Sequence, residues 1–143
     1  EMCIRDRKLI VQNNLNENTK VMADEAALKL ILTNFLSNAI KHSPKKALIN
    51  LAESSSSKGF IRLSVSDEGK GVPKKYKERV FERFYRIDKG RSSETGGTGL
   101  GLSISKNLAL MMGYSVGVEA NEPKGATFFI DIKVDEEKSI QAA

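Results

Sequence analysis

The sequence predicts an α/β fold, a two-layer sandwich in which a mixed β-sheet carries helices on one face. Two segments have apolar residues at helical spacing, and each is followed by a pair of segments with strand character. With a further strand at the start, the order is β-α-β-β-loop-α-β-β, which is typical of helices packed on one side of a sheet. The 143 residues, 40% of them hydrophobic, are enough for one domain with a single core.

The first predicted elements are a strand and a long helix. A strand is predicted from Leu9 to Leu15, where apolar residues alternate. A helix is predicted from its N-cap, Asp24, to about Lys41, and Ser43-Pro44 ends it. Its apolar series continues for three turns and comprises Leu28, Ile31, Leu32, Phe35, Leu36, Ala39 and Ile40.

Two hairpins supply the other predicted strands. The first joins Leu48–Glu53 to Phe60–Val65 through a serine-rich turn. The second joins Ser115–Ala120 to Ala126–Val134 through a turn at residues 121–125.

Two further helices are predicted between the hairpins. A short helix is expected near Lys74–Phe81, inside a stretch rich in glycine and charge. A longer helix is expected from about Leu100 to Met112, with Gly113 as its C-terminal stop. The apolar face expected for this helix consists of Leu100, Ile104, Leu108 and Met111.

Composition excludes several classes of protein. One cysteine, Cys3, cannot form an internal disulfide or a thiolate metal cluster, and one histidine, His42, leaves no His-rich metal site. No apolar run is long enough for a transmembrane helix, so we expect a soluble segment that makes no membrane contact. Residues 1–7 are expected to be non-native and adapter-derived, residues 8–134 to form the domain, and residues 135–143 to be a flexible tail.

Positive charge is concentrated in one stretch. Residues 70–91 contain nine Lys or Arg and three Asp or Glu, whereas the whole chain has a net charge of +5. A local basic segment favours an anionic partner, which is a phosphate ligand, an acidic protein surface or a nucleic acid. A solvated helix face with excess lysine explains the charge equally well.

Asn34, Asn38 and Lys41 share one stripe of the first predicted helix, away from its apolar face. Asparagine is unfavourable inside a helix by about 0.5 kcal/mol relative to alanine, so an ordinary solvated stripe would use other residues. Two amide oxygens one turn apart, followed by an ammonium group, suit Mg²⁺ and phosphate. Solvated surface remains the alternative.

Asp67, Gly69 and Gly71 follow directly on a predicted strand. An ordinary turn would use the same residue types. The functional interpretation is a buried carboxylate that accepts a hydrogen bond from an exocyclic amine such as that of adenine. The two glycines would remove Cβ atoms from the path of a flat ligand.

A second glycine-rich segment, residues 96–101, opens the last predicted helix. Several glycines at a helix start carry a large entropic cost, which favours a need for bare backbone there. Backbone N–H groups at such a place bind anions, phosphate above all, although a purely structural cap is the alternative. Between the two glycine segments, Phe81 and Phe84 could be core anchors, and also a hinge for a mobile basic lid.

Four motifs in order resemble the boxes of the sensor histidine kinase catalytic domain. They begin at Asn34, Asp67, Phe81 and Gly97, and the resemblance extends over nearly all of residues 9–134. It implies the Bergerat fold shared with gyrase, Hsp90 chaperones and MutL, with ATP and Mg²⁺ as ligands.

The resemblance also implies roles for individual residues. Asn38 is implied to be the Mg²⁺ ligand and Lys41 a phosphate contact, while Asp67 reads the adenine amine. His42 stands where the family often has a tyrosine beside the base. The glycines implied to line the base pocket are Gly69 and Gly71. The residues implied to wrap the phosphates are Gly97, Thr98, Gly99, Leu100 and Gly101, with Arg86 and Arg91 in the basic lid.

Asn34 distinguishes among members of this superfamily. ATP-hydrolysing relatives have a glutamate one turn before the Mg²⁺ asparagine, as general base for water. Because an amide cannot take up that proton, Asn34 disfavours hydrolysis and favours phosphoryl transfer, and it is the candidate catalytic residue. The phosphoacceptor motif, similar to His-Glu/Asp-Leu-Arg-Thr-Pro, does not occur in the sequence.

The first hypothesis is therefore the ATP-binding half of a two-component sensor histidine kinase. It would bind ATP or ADP, donate the γ-phosphoryl group to a histidine on a separate dimerisation domain, and serve a response regulator indirectly. The parent protein is expected to be membrane-anchored, with this domain in the cytoplasm. The alternative is a stand-alone ATP-binding module, either a serine/threonine kinase or a nucleotide-sensing adaptor. Nucleic-acid binding is not expected, because no nucleic-acid motif accompanies the basic stretch.

Overall fold

The computed structural model describes residues 9–16, 18–83, 101–121 and 123–135. Two α-helices and five strands lie in these ranges, and all bounds agree with the sequence prediction to within two residues. The elements are β1 (Ile10–Asn14), α1 (Glu25–His42), β2 (Leu48–Ser55), β3 (Phe60–Ser66), α2 (Gly101–Met111), β4 (Ser115–Ala120) and β5 (Ala126–Lys133).

The five strands form one mixed sheet in the order β1-β2-β3-β5-β4. β1 pairs with β2 in parallel, and the other three pairings are antiparallel. The end of β3 meets the start of β5, since Ser66 pairs with Thr127 and their hydroxyl groups lie 2.8 Å apart. This pairing brings the residues that follow β3 to the turn before β5.

The core lies between the sheet and α1. Phe35 of α1 and Phe128 of β5 are buried, with ring centroids 5.8 Å apart. Phe81 packs on Phe128 from another side, with centroids 6.0 Å apart and the rings at 77°. Every second residue of β5 is buried, and the residues between them are more exposed, as expected for a strand with one face on the core.

Helix α1 begins and ends as its sequence predicts. The Asp24 carboxylate accepts a hydrogen bond from the backbone N–H of Ala27 at 2.8 Å, which caps the first turn. At the other end, the Ser43 hydroxyl donates to the Ala39 carbonyl at 2.7 Å. Both caps fix the axial position of the polar residues along this helix.

Two expectations about helices are wrong. Residues 74–81 form two short 3₁₀ turns, Lys74–Tyr76 and Arg79–Phe81, in place of one helix. The expected apolar face of α2 is wrong at two of its residues, because Ile104 is 42% and Met111 83% exposed, although Leu108 packs against the core. The buried side of α2 carries the small residues Ser103, Ser105 and Ala109, and it faces α1. Small residues allow the two helices to approach closely.

Within the described ranges, neither helix combines the length and the apolar character that crossing a bilayer requires.

Candidate functional site

Asp67 is a buried acidic side chain at the end of β3, only 2% exposed. Its Oδ1 accepts hydrogen bonds from the backbone N–H groups of Gly69 at 2.9 Å and Ala126 at 3.1 Å. Its own N–H donates to the Ala126 carbonyl at 2.8 Å, and its carbonyl accepts from Asn121 Nδ2 at 2.7 Å. The carboxylate is therefore held in one orientation by two neighbouring segments of chain.

The second carboxylate oxygen of Asp67 is available to a ligand. No hydrogen bond reaches Oδ2 from the part of the chain that the structure describes. No fully buried side-chain oxygen or nitrogen there lacks a partner, so Oδ2 keeps a small exposed surface although Asp67 as a whole is only 2% exposed. A carboxylate oxygen of this kind accepts a hydrogen bond from an amine of a bound molecule.

Burial raises the pKa of the Asp67 carboxyl above its ordinary value. The two hydrogen bonds from the Gly69 and Ala126 backbone oppose this rise, and so does the charge of nearby His42. Desolvation thus disfavours the charged carboxylate, and the two N–H donors compensate for it in part.

Glycines permit the close backbone contacts around Asp67. A Cβ at Gly69 would lie 2.3 Å from the His42 carbonyl oxygen, and one at Gly71, where φ is +79°, would lie 2.8 Å from the Gly125 oxygen. The sequence predicted a need for bare backbone at Gly69 and Gly71. The nearest atoms that such a Cβ would meet are backbone carbonyl oxygens, so both glycines are needed to assemble the corner. Their expected place beside a flat ligand stays a prediction.

Sequence reasoning missed two residues of this corner, Asn121 and Gly125. A Cβ at Gly125 would lie 1.9 Å from the Asp67 carbonyl oxygen, and φ at Gly125 is +106°. Asn121 holds the same carbonyl oxygen through its side-chain amide. The sequence predicts an ordinary hairpin turn at both residues, because they lie more than fifty residues from Asp67 along the chain.

The C-terminal end of α1 borders the Asp67 corner. The backbone of His42 lies against Gly69, and the His42 side chain is exposed. Lys41 precedes it in the last turn of the helix and is half-buried. The structure therefore places the last turn of α1, which carries these two residues, beside the corner that follows the central strand β3.

Asn34 and Asn38 are half-buried on α1 and differ in their contacts. Asn34 Nδ2 donates to the Gly101 carbonyl at 3.1 Å and to Ser105 Oγ at 3.2 Å. The Asn38 side chain makes no hydrogen bond to any residue in the described ranges. Since no fully buried polar atom there lacks a partner, the Asn38 amide is accessible. Its oxygen is a suitable ligand for a hard cation.

The start of α2 lies beside α1. Gly101 is the first residue of this helix, and a Cβ there would lie 3.8 Å from the Asn34 side chain. The remaining predicted site residues, which are Arg86, Arg91, Gly97, Thr98, Gly99 and Leu100, lie outside the described residues. The roles of all the site residues stay predictions.

Known proteins resemble this chain over most of its length. The family model described as "Histidine kinase-, DNA gyrase B-, and HSP90-like ATPase" matches residues 23–136. The sensor histidine kinase WalK of Bacillus subtilis is 34% identical over 139 residues, which are 96% of this chain and 23% of WalK. The sensor-like histidine kinase SenX3 of Mycolicibacterium smegmatis is 41% identical over 113 residues, which are 79% of this chain and 29% of SenX3.

A solved structure agrees with the sequence relatives. Full-length ShkA in complex with AMPPNP matches with a TM-score of 0.77 and 30% identity, over 93% of this chain and 27% of the ShkA chain. The chain thus spans about a quarter of the length of these three proteins.

Proposed function

This chain belongs to the family of histidine kinase-, DNA gyrase B- and HSP90-like ATPases, and from that premise we propose that it is the ATP-binding catalytic domain of a two-component sensor histidine kinase. The Asp67 corner is the observation that carries the proposal. A buried carboxylate with one oxygen held by backbone and the other accessible fits the exocyclic amine of adenine. His42 and Lys41 lie in the last turn of α1, beside this corner. The base of a bound nucleotide would lie near His42, and its phosphates would lie near Lys41.

The polar side chains of α1 have the chemistry that a magnesium site would need. The accessible amide oxygen of Asn38 would hold the ion, because Mg²⁺ takes oxygen ligands and keeps several waters. When bound, the ion supplies charge neutralisation at the phosphate oxygens. Lys41, one turn beyond Asn38, contributes a positive charge on the same side of the helix.

Phosphoryl transfer depends chiefly on positioning and charge neutralisation, and this chain provides groups for both. Asn34 cannot act as a general base for water, since an amide does not accept a proton near neutral pH. Its N–H groups are also directed to Gly101 and Ser105. These features favour transfer to a protein acceptor over hydrolysis.

The proposed acceptor is a histidine on a separate dimerisation domain. The one histidine of the sequence, His42, lies at the end of α1 beside the proposed base site, which is unsuitable for an acceptor. A response regulator would then receive the phosphoryl group from that domain. We further propose that the parent is a membrane-anchored sensor with this domain in the cytoplasm.

The first test is calorimetric titration of the folded chain with ATP, ADP and GDP, with and without Mg²⁺. We expect saturable, adenine-selective binding with a dissociation constant between about 1 μM and 1 mM, tighter when Mg²⁺ is present. A folded chain that binds none of these nucleotides would overturn the proposal.

The second test supplies an acceptor. WalK, a histidine kinase similar to this chain, is inactivated by substitution in its own ATP-binding part and mixed with the chain and γ-labelled ATP, and the labelled protein is treated with acid and with alkali. Acid-labile, alkali-stable label on the acceptor supports a histidine kinase. Acid-stable label on serine or threonine would favour the stand-alone kinase instead.

A further inference from the structure

Two hydrogen bonds join α1 to the first turn of α2, and a third lies within α2 itself. Asn34 Nδ2 donates to the Gly101 carbonyl at 3.1 Å and to Ser105 Oγ at 3.2 Å. Ser105 Oγ donates to the same Gly101 carbonyl at 3.0 Å. Ser105 has no exposed surface, so water does not compete for its hydroxyl.

The donor and acceptor roles in this triangle are fixed. A carbonyl oxygen only accepts, so the atom of Asn34 that faces Gly101 must be the amide nitrogen. The single hydroxyl hydrogen of Ser105 goes to the Gly101 carbonyl, which leaves the Ser105 oxygen to accept from Asn34. The Asn34 oxygen takes no part in the triangle, and a carboxylate at this position could not replace the amide.

The triangle connects two places that the proposed function uses. Asn38, the proposed magnesium ligand, lies one turn beyond Asn34 on α1. Gly101 opens α2, whose first backbone N–H groups have no partner within the helix and follow directly on the glycine segment. A shift of α2 relative to α1 would therefore alter the distance between these N–H groups and Asn38.

We propose that Asn34 and Ser105 are positioning residues that fix the first turn of α2 against α1, so that the phosphate-facing backbone and Asn38 are held in one arrangement. The inference rests on the proposed function, because the arrangement matters only for a ligand that carries phosphates. Ser105 acts through Asn34 and Gly101 and touches no ligand itself.

The test compares ligands with and without phosphates. Ser105→Ala removes the hydroxyl and leaves the fold of the helix intact, and Ser37→Ala makes the same change at an exposed position of α1. Affinities for ADP with Mg²⁺ and for adenosine are measured for both variants and the unaltered chain. We expect Ser105→Ala to weaken ADP about threefold to tenfold, with adenosine and Ser37→Ala unchanged.

A second variant changes the same contact from the side of α1, so that the inference can be tested even if Ser105→Ala disturbs the fold. Asn34→Asp places an acceptor against the Gly101 carbonyl, and it should weaken ADP more than Ser105→Ala does. Amide hydrogen exchange of residues 101–105 should become faster in both variants.

Equal weakening of ADP and adenosine, or no change in either, would overturn the inference while the proposed function stands. Failure of the unaltered chain to bind ADP would overturn the proposed function and the inference with it.

Discussion

The two ends of the candidate site are built differently. At the Asp67 corner, backbone from β3 and from the turn before β5 holds the carboxylate and the carbonyl in place. At Asn38, one side chain projects from a helix and makes no hydrogen bond to the rest of the described chain. The proposed base end is therefore held in place by the chain itself, whereas the proposed metal end would gain its contacts from a bound ligand.

Because of this difference, the two ends are expected to contribute to ligand binding in different ways. A preformed end gives selectivity, since a wrong base would leave the fixed Asp67 oxygen without a donor. An end completed by the ligand gives affinity that depends on the ion and on phosphate. The predictions below separate the two, beginning with the largest effect.

Gly125→Ala should disrupt the preformed end and the fold with it. A Cβ at this position would lie 1.9 Å from the Asp67 carbonyl oxygen, at a φ of +106°. We expect the free energy of unfolding to fall by about 3 kcal/mol or more, measured by urea denaturation.

Gly113→Ala is the matched control, because φ there is +82° and nothing lies within 4 Å of the added Cβ. Backbone strain alone should cost about 1–2 kcal/mol. Equal losses in the two variants would mean that the contact with Asp67 is unimportant.

Asp67→Asn should change base selectivity and leave the corner assembled. The two backbone N–H donors keep the amide oxygen at the Oδ1 position, so the amide NH₂ group takes the place of Oδ2 and faces the adenine amine, donor against donor. We expect ADP affinity to fall about tenfold to a hundredfold, and the preference for ADP over inosine diphosphate to narrow.

Glu68→Gln makes the same chemical change at the next residue. The Glu68 side chain accepts from the Leu48 N–H at 2.6 Å, and a glutamine oxygen can do the same. This variant should bind ADP as the unaltered chain does. If ADP and inosine diphosphate lose affinity equally in Asp67→Asn, Asp67 does not read the base.

Asn38→Ala should affect only the proposed metal end of the site and leave the Asp67 corner unchanged. We expect the difference in ADP affinity with and without Mg²⁺, about tenfold, to disappear. The free energy of unfolding should stay the same or rise by about 0.5 kcal/mol, because alanine is the better helix former. Titration and urea denaturation of Asn38→Ala and Ser37→Ala measure both. Retained Mg²⁺ dependence would remove Asn38 from the metal site.

The sequence was sufficient for the two α-helices, the five strands and the buried carboxylate of Asp67. An element that buries one face carries apolar residues every 3.6 positions in a helix and every two positions in a strand. The caps at Asp24 and Ser43 mark the ends of α1. Asp67 was identifiable because a carboxylate followed by glycines comes directly after a strand. These signals are all local.

The contacts that depend on pairing could not be predicted. Asn121 and Gly125 reach Asp67 only because Ser66 pairs with Thr127, and no local signal specifies that register. The exposure of Ile104 and Met111 on α2 was missed for a related reason. A count of apolar residues favours Ile104 and Met111, whereas close packing against α1 selects small residues such as Ser105.

The smallest expected effect is a pH dependence at the preformed end. Since burial raises the pKa of Asp67 in the folded chain, the folded state holds this proton more tightly than the unfolded state does. Between the ordinary pKa and the raised one, folding takes up a proton, so the stability contributed by Asp67 is greatest at low pH and declines as the pH rises. Asp67→Asn has no titrating group at this position, so its free energy of unfolding lacks this pH-dependent contribution. Urea denaturation of both proteins from about pH 3.5 to 7 should show the unaltered chain losing stability relative to Asp67→Asn as the pH rises. A relative gain with rising pH would mean that the two N–H donors outweigh desolvation, and that the corner favours a charged carboxylate even without a ligand.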